Sequence, residues 1–328
     1  MSKLSSTVHV AIGDSLGGEL RRVVSPVVAV RDNVLMGPSS TNPKHHQALR
    51  ARYWKAPSFM DIDGEIGTQG PLCVYLPPTA SGLLTLCRIC FIAIQQKREI
   101  LVVSLRGKRL GRSRGIDPDP AAVVDVVDAA QRLPRPVRWS SIEVAFAATL
   151  WKLWCRRSPT AFSRFCATGS RFHPLIRDLS RFHAGFFPRL SGDRLLPARF
   201  DELLLRQLSR EWLTPAQVFV NAMRADSELE AWIFHTGDLY VGARLLAWFE
   251  HTKGRTVEQR QEHHPRGSDV LQWSYRWQNG SETILEALPS LNAAPPVEIG
   301  GAVAYDPGRS WVCRVDSTGP HVRAFSVR

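Results

Sequence analysis

Asp14, Ser15, Arg31 and Asp32 bring two carboxylates, a hydroxyl and a guanidinium to two short stretches of this chain. Asp14 and Ser15 follow the apolar run Val8–Ile12, where Gly13 breaks it before a helical pattern over 16–23. Arg31 and Asp32 follow a second β-branched run, Val27–Val30. In an open α/β sheet, ligands sit outside the carboxyl ends of the strands. If the two strands are parallel neighbours, all four side chains meet at one crevice. There a carboxylate, a hydroxyl and a guanidinium near a helix N-terminus would hold a phosphate, a carboxylate or a sugar. The alternative is purely structural, with Asp14 capping the helix and Arg31 paired to Asp14 or Asp32. Gly13 to Gly18 does not form a dinucleotide fingerprint, because the glycines stand in the wrong order.

Gly13-Asp14-Ser15-Leu16 also spells the nucleophile block of a group of serine lipases and esterases, in which a histidine takes the serine proton. No aspartate here has a histidine three residues on, and no Gly-x-Asn-Asp supplies an oxyanion-hole asparagine. A serine hydrolase stays an alternative, but no complete catalytic constellation is visible and no cofactor is indicated. Cys73, Cys87, Cys90, Cys155, Cys166 and Cys313 mostly have apolar neighbours and read as buried reduced thiols. Cys87-x-x-Cys90 has no second ligand pair, so no metal site is expected. His45-His46 and His263-His264 are adjacent pairs, about 100° apart on a helix, and read as surface histidines.

The elements that must position these groups alternate in the first third of the chain. Strands are expected at Val8–Ile12, Val27–Val30, Leu72–Leu76 and 100–105. Helices are expected over 16–23, from Asn42-Pro43 to 55, and over 79–96. That alternation favours a mostly parallel sheet covered by helices. Residues 106–120 read as a connector, and Leu133-Pro134-Arg135-Pro136 as a break. Ser140-x-x-Glu143 is a capping box that opens a Trp-rich helix. Residues 200–262 read as three helices and the first strand of a hairpin, the order of a winged helix-turn-helix. Its third helix, from Gly237-Asp238 to His251, carries one arginine, Arg244, and is too acidic to favour a DNA backbone, so it reads as a structural or protein-contacting module. A small β-rich tail follows.

The 328 residues carry a formal charge of +12. Residues 151–200 hold ten Lys or Arg against Asp178 and Asp193, whereas 201–250 hold four basic and eight acidic side chains. Arg106, Lys108 and Arg109 lie in a second basic cluster. Ser-Arg-Phe recurs around Arg164, Arg171 and Arg181. Aromatics interleaved with arginines can clamp single-stranded nucleic acid, and the same pattern arises when Phe buries and Arg lies along a helix edge. Leu83 to Ile94 is the longest apolar run and falls short of the roughly 20 residues of a membrane span. The start of the chain lacks the apolar core of a signal peptide, so a cytoplasmic location is expected.

The pieces resemble a bacterial family catalogued as domain of unknown function 1835, with its usual helical companion domain. The residues that carry this are Gly13-Asp14-Ser15, Arg31-Asp32, Gly37-Pro38 and Arg50-x-Arg52-Tyr53-Trp54. In the companion part they are Phe200-Asp201, Leu203-Leu204, Trp212, Asp238, Arg244-Leu245 and Gly254. The likeness covers residues 7–260; Asn33 and Tyr53-Trp54 depart from the commonest forms, which leaves their roles open. It implies a Rossmann-like first domain and a helical second one, and it brings no activity. The expected organisation is a Rossmann-like α/β domain (1–116), a mainly helical, winged-helix-like domain (117–262) and a β-rich tail (263–328). The expected role is binding of a small anionic ligand or a macromolecular partner, regulatory or accessory in kind. Nucleic-acid binding through 106–115 and 156–190 is the main alternative.

Overall fold

The computed structural model describes residues 7–30, 32–54, 65–77, 79–105, 135–169, 173, 175–191, 193–225, 238–261, 273–278, 281–288, 290, 293–305, 311–316 and 319–324. They form two compact units, one of residues 1–156 and 168–179, the other of 157–167 and 180–328. The boundaries expected at 116 and 262 both lie outside the described residues. No described helix is long and apolar enough to cross a membrane.

The first unit is built on five strands: β1 (Val8–Ile12), β2 (Val27–Val30), β3 (Leu72–Leu76), β4 (Ile100–Ser104) and β5 (Val137–Arg138). Their order is β2-β1-β3-β4-β5. The first four are parallel, and β5 runs antiparallel against β4. Helix α1 (Asp14–Leu20) joins β1 to β2, α2 (Pro43–Trp54) lies between β2 and β3, and α3 (Ala80–Gln96) joins β3 to β4. The run β1, β2, then across β1 to β3 makes the gap between β1 and β3 the point where the winding direction reverses. Open α/β sheets hold their ligands at the carboxyl ends of such a gap.

Side chains alternate across each strand. Ala11, Cys73, Tyr75 and Val103 turn to one face and pack with Leu16 and Leu20 of α1. Val10, Val74 and Val102 turn to the other and are also buried, so these strands read as continuous apolar runs. Gly17 permits the close approach of α1, since a Cβ there would lie 2.5 Å from Ala29 Cβ. Thr79 caps α3, accepting the Gly82 N–H at 3.0 Å. Helix α4 (Ser141–Trp154) makes the most extensive helix contact of this unit, with α3, and starts at the expected capping box of Ser140 and Glu143.

Helices α5 (Pro159–Gly169) and α6 (Leu175–Gly185) carry the chain between the units. The second unit has a hairpin, β6 (Arg189–Ser191) and β7 (Arg194–Leu196). Next come helices α7 (Arg199–Leu205), α8 (Pro215–Ala225) and α9 (Asp238–Thr252). A second hairpin pairs β8 (Val257–Gln261) with β9 (Trp273–Trp277), and Leu213 bridges to Tyr275 as a third rung. The last strands are β10 (Val297–Gly300), β11 (Ala302–Ala304), β12 (Trp311–Asp316) and β13 (Gly319–Ala324). Strand β12 pairs with β13 and with β6, so β12 and β13 belong to the same sheet as the first hairpin, whereas β10 and β11 pair with each other in another sheet. Phe186 and Phe200 stack on each other, and Tyr240 meets both edge-on; all three are buried.

Candidate functional site

At the carboxyl edge of the parallel sheet the chain leaves β1 through Gly13, whose φ of 102° suits glycine. Its N–H donates to the Val30 carbonyl at 2.8 Å, which fixes the end of β1 against the end of β2. Asp14 and Ser15 begin α1; their side chains, and all of Arg31, lie outside the described residues. Asp32, the fourth expected site residue, is described and is 7% exposed.

The Asp32 carboxylate is the centre of a buried ion cluster. Oδ1 accepts from Arg50 Nε at 2.9 Å and from Nη2 at 2.6 Å. Oδ2 lies 3.3 Å from His46 Nε2 and 3.6 Å from Arg88 Nη1. Arg50 also donates to the carbonyls of Asn33 (2.9 Å), Met36 and Pro38 (3.4 Å), so one guanidinium ties down the whole loop after β2. His46 Nδ1 accepts the Ser40 N–H at 3.1 Å, which leaves Nε2 as the protonated nitrogen that donates to Asp32. Arg88 and His46 both lie against the Trp151 ring.

Burial works to raise the Asp32 pKa, but Arg50, the His46 hydrogen bond and Arg88 outweigh it and bring it to about 2. Burial drops the His46 pKa to about 4, with Arg88 adding to the effect and the Asp32 hydrogen bond opposing it. At neutral pH the cluster therefore holds a carboxylate, two guanidinia and a neutral imidazole. Across the end of β1, Asn33 Oδ1 accepts the Ser81 hydroxyl at 2.8 Å. The loop after β2 is thus bonded to the first turn of α3.

Asp32 faces α2 and α3 with both oxygens engaged, so it fastens the start of the loop after β2 to these two helices. His46, expected at the surface, is 1% exposed. The helical period explains the difference, because α2 turns His46 and Arg50 inward at i,i+4 spacing while His45 stays exposed. Both ring nitrogens of His46 are bonded, so it is not poised as a base for a serine. Arg50 entered the sequence reading only through the family pattern, and Arg88 not at all as a site residue. Its signal was present: a guanidinium in the apolar run 83–94 needs a buried partner.

Among the expected nucleic-acid contacts, Arg164 and Arg181 are exposed, and Arg106, Lys108, Arg109 and Arg171 lie outside the described residues. Phe182, which would have to stack on a base, is 2% exposed and packs against Phe186. In that copy of Ser-Arg-Phe the ring belongs to the core and the arginine to solvent.

In the second unit Arg244 grips Asp201 with two bonds of 2.6 Å, from Nε to Oδ1 and from Nη2 to Oδ2. It also donates to the carbonyls of Pro295 at 2.9 Å and Pro296 at 3.2 Å. Tyr305 donates to Asp201 Oδ2 at 2.9 Å and accepts the Ala198 N–H. One buried pair thus joins α7, α9 and the strands near the C-terminus. No family model matches this chain, and no curated protein matches it.

Proposed function

We propose that this protein binds a small anionic ligand at the carboxyl edge of its parallel sheet, as a Rossmann-like domain would, in a regulatory or accessory role. The observation that carries this reading is the strand order, which puts the reversal point between β1 and β3 beside Gly13 and the start of α3. The Asp32–Arg50 cluster supports it, because a loop held by one buried guanidinium keeps the wall of the crevice in place before any ligand arrives. Asp14, Ser15 and Arg31 are the residues we assign to the ligand, with Asp32 anchoring the loop after β2. A phosphate, carboxylate or sugar phosphate suits that set.

We further read the chain as akin to the family catalogued as domain of unknown function 1835 with its companion. The quoted residues Asp32 and Arg50 are bonded to each other, as are Asp201 and Arg244. Recurrent patterns built of such partners are what a shared fold would leave. For the second unit, the run helix, bridging strand, helix, helix, hairpin supports a winged-helix-like module, with Leu213 bridged to the far strand of the wing. A thermal-shift screen of nucleotides, sugar phosphates and small carboxylates tests the ligand reading. A stabiliser is expected, with affinity lowered at least tenfold by Arg31→Ala; a screen without any stabiliser would count decisively against it.

A further inference from the structure

The second hairpin and the segment paired to it carry a stack of planar groups on one face. Leu213 and Tyr275 exchange both backbone bonds, so Trp212 stands opposite Arg276 and shares a face of the hairpin with it. The register of β8 against β9 sets Arg276 opposite Glu258, and Ser274 opposite Arg260, on that same face. The Arg276 guanidinium carbon lies 4.5 Å from the centre of the Trp212 ring, and that of Arg260 lies 4.8 Å from it. Arg260 stands one row on and one strand over from Arg276, so the indole reaches diagonally across β9. Glu258 accepts the Arg276 Nε–H at 2.6 Å and fixes that guanidinium against the ring. Arg276 is 38% exposed, and its Nη1 and Nη2 groups are bonded to no described residue. Ser274, at the centre of the face, is fully buried, and its hydroxyl has no hydrogen-bond partner among the described residues. Buried polar groups are nearly always paired, so this one marks a place where a partner is missing.

We propose that this face of the hairpin binds single-stranded nucleic acid, with Arg276 contacting a phosphate and the stack of Trp212 with its arginines receiving a base. Three planar groups are already assembled there, and a nucleobase extends such a stack through its π-face whatever its identity. A guanidinium whose Nε is committed to a carboxylate keeps its Nη edge for a phosphate oxygen, with the charge-assisted geometry that arginine favours. The Ser274 hydroxyl adds a hydrogen-bonding group at the same face. In these segments Arg210, Arg260 and Arg276 outnumber Glu211 and Glu258, and Glu258 is already paired to Arg276. An acidic polypeptide would match the charge but brings no flat ring for the stack, which is why a nucleic acid is the better occupant. The site lies in the second unit, outside the basic stretches 106–115 and 156–190, and does not rest on the crevice reading.

The test titrates a fluorescein-labelled oligothymidylate of about 20 nucleotides with the full chain and follows its anisotropy at several salt concentrations. Wild type should bind, with an affinity that falls as salt rises. Trp212→Ala should weaken binding about tenfold, the worth of one stacked base. Arg276→Gln should weaken it about fivefold and lower the salt slope by about one, a change that a merely structural arginine would not produce. Arg276 is partly exposed, so Arg276→Gln should fold even if Trp212→Ala does not. A duplex of the same length should bind more weakly, because its base faces are already stacked on one another; equal binding would overturn the proposal. So would a wild-type chain that does not bind, or equal affinity and slope for wild type and Arg276→Gln. Polyglutamate that displaces the label as well as unlabelled oligonucleotide does would make an acidic polypeptide the occupant instead. Binding abolished by Arg31→Ala and untouched by Arg276→Gln would also overturn it, while leaving the crevice reading in place.

Discussion

Residue by residue, the strongest constraints on this fold are charges that have been taken out of water. Burying a charge is costly unless it is paired and hydrogen-bonded. Asp32 with Arg50, and Asp201 with Arg244, meet that condition with several bonds each. Removing one partner leaves the other buried and uncompensated. Arg50→Met should therefore cost about 3–5 kcal/mol, read as a fall in the urea midpoint with unchanged slope; a loss below about 1 kcal/mol would mean that Asp32 finds other partners. His46 adds a pH dependence whose sign follows from its lowered pKa. Between the unfolded value of 6.5 and the folded value of about 4, the unfolded chain takes up a proton that the folded one refuses. The stability His46 contributes is present above pH 6.5 and is lost as pH falls through that window, by about 3 kcal/mol. His46→Gln should flatten the stability curve between pH 7 and 4 by that amount; parallel curves for variant and wild type would assign the acid sensitivity elsewhere.

At the level of elements, local signals and close packing act together. The strands β1 to β3, the start of α3 with its Thr79 cap and the capping box of α4 all stand where apolar runs and cap residues place them. Those features depend on neighbours within a few residues, which is why the sequence shows them. The short strands Val137–Arg138 and Arg189–Ser191 carry no such pattern. Val137–Arg138 exists because β4 offers it an edge, and nothing near it in the chain announces that; Arg189–Ser191 pairs with Arg194–Leu196 just after it and adds one rung to β12. Helix α1 illustrates the packing side. Its Gly17 lies so close to Ala29 that any side chain must move the helix off the sheet. Gly17→Val should cost about 2–4 kcal/mol in spite of its better helix propensity. Equilibrium denaturation of that variant checks this; a gain in stability would show that α1 can shift without loss.

Across the whole molecule, the two compact units divide the chain differently from its composition. Residues 141–154 lie inside the helical domain expected over 117–262; in the structure α4 packs on α3, and β5 pairs with β4 of the parallel sheet. A fragment ending at 116 lacks both and leaves the apolar face of α3 uncovered. It should bind a hydrophobic dye and lack near-ultraviolet dichroism, whereas a fragment ending at 179 should show a native-like spectrum. A well-packed 1–116 fragment would show that α4 is dispensable. Tyr305, in what reads as a tail, reaches Asp201 and thereby ties the C-terminal strands to α7.

The alternation of strands and helices in the first unit, the turn at Gly13 and the surplus of positive charge in 151–200 are all legible in the sequence. Each is a property of residues close together in the chain, where period, capping and composition act. Which charges meet depends on the fold: Asp32 with Arg50 eighteen residues on, Asp201 with Arg244 forty-three on, and three arginines on Glu202. A buried charge requires a partner, but its identity depends on how the strands are ordered and which helix faces turn inward. That order also brings His46, Arg50 and Arg88 onto Asp32, so that its carboxylate anchors the loop after β2.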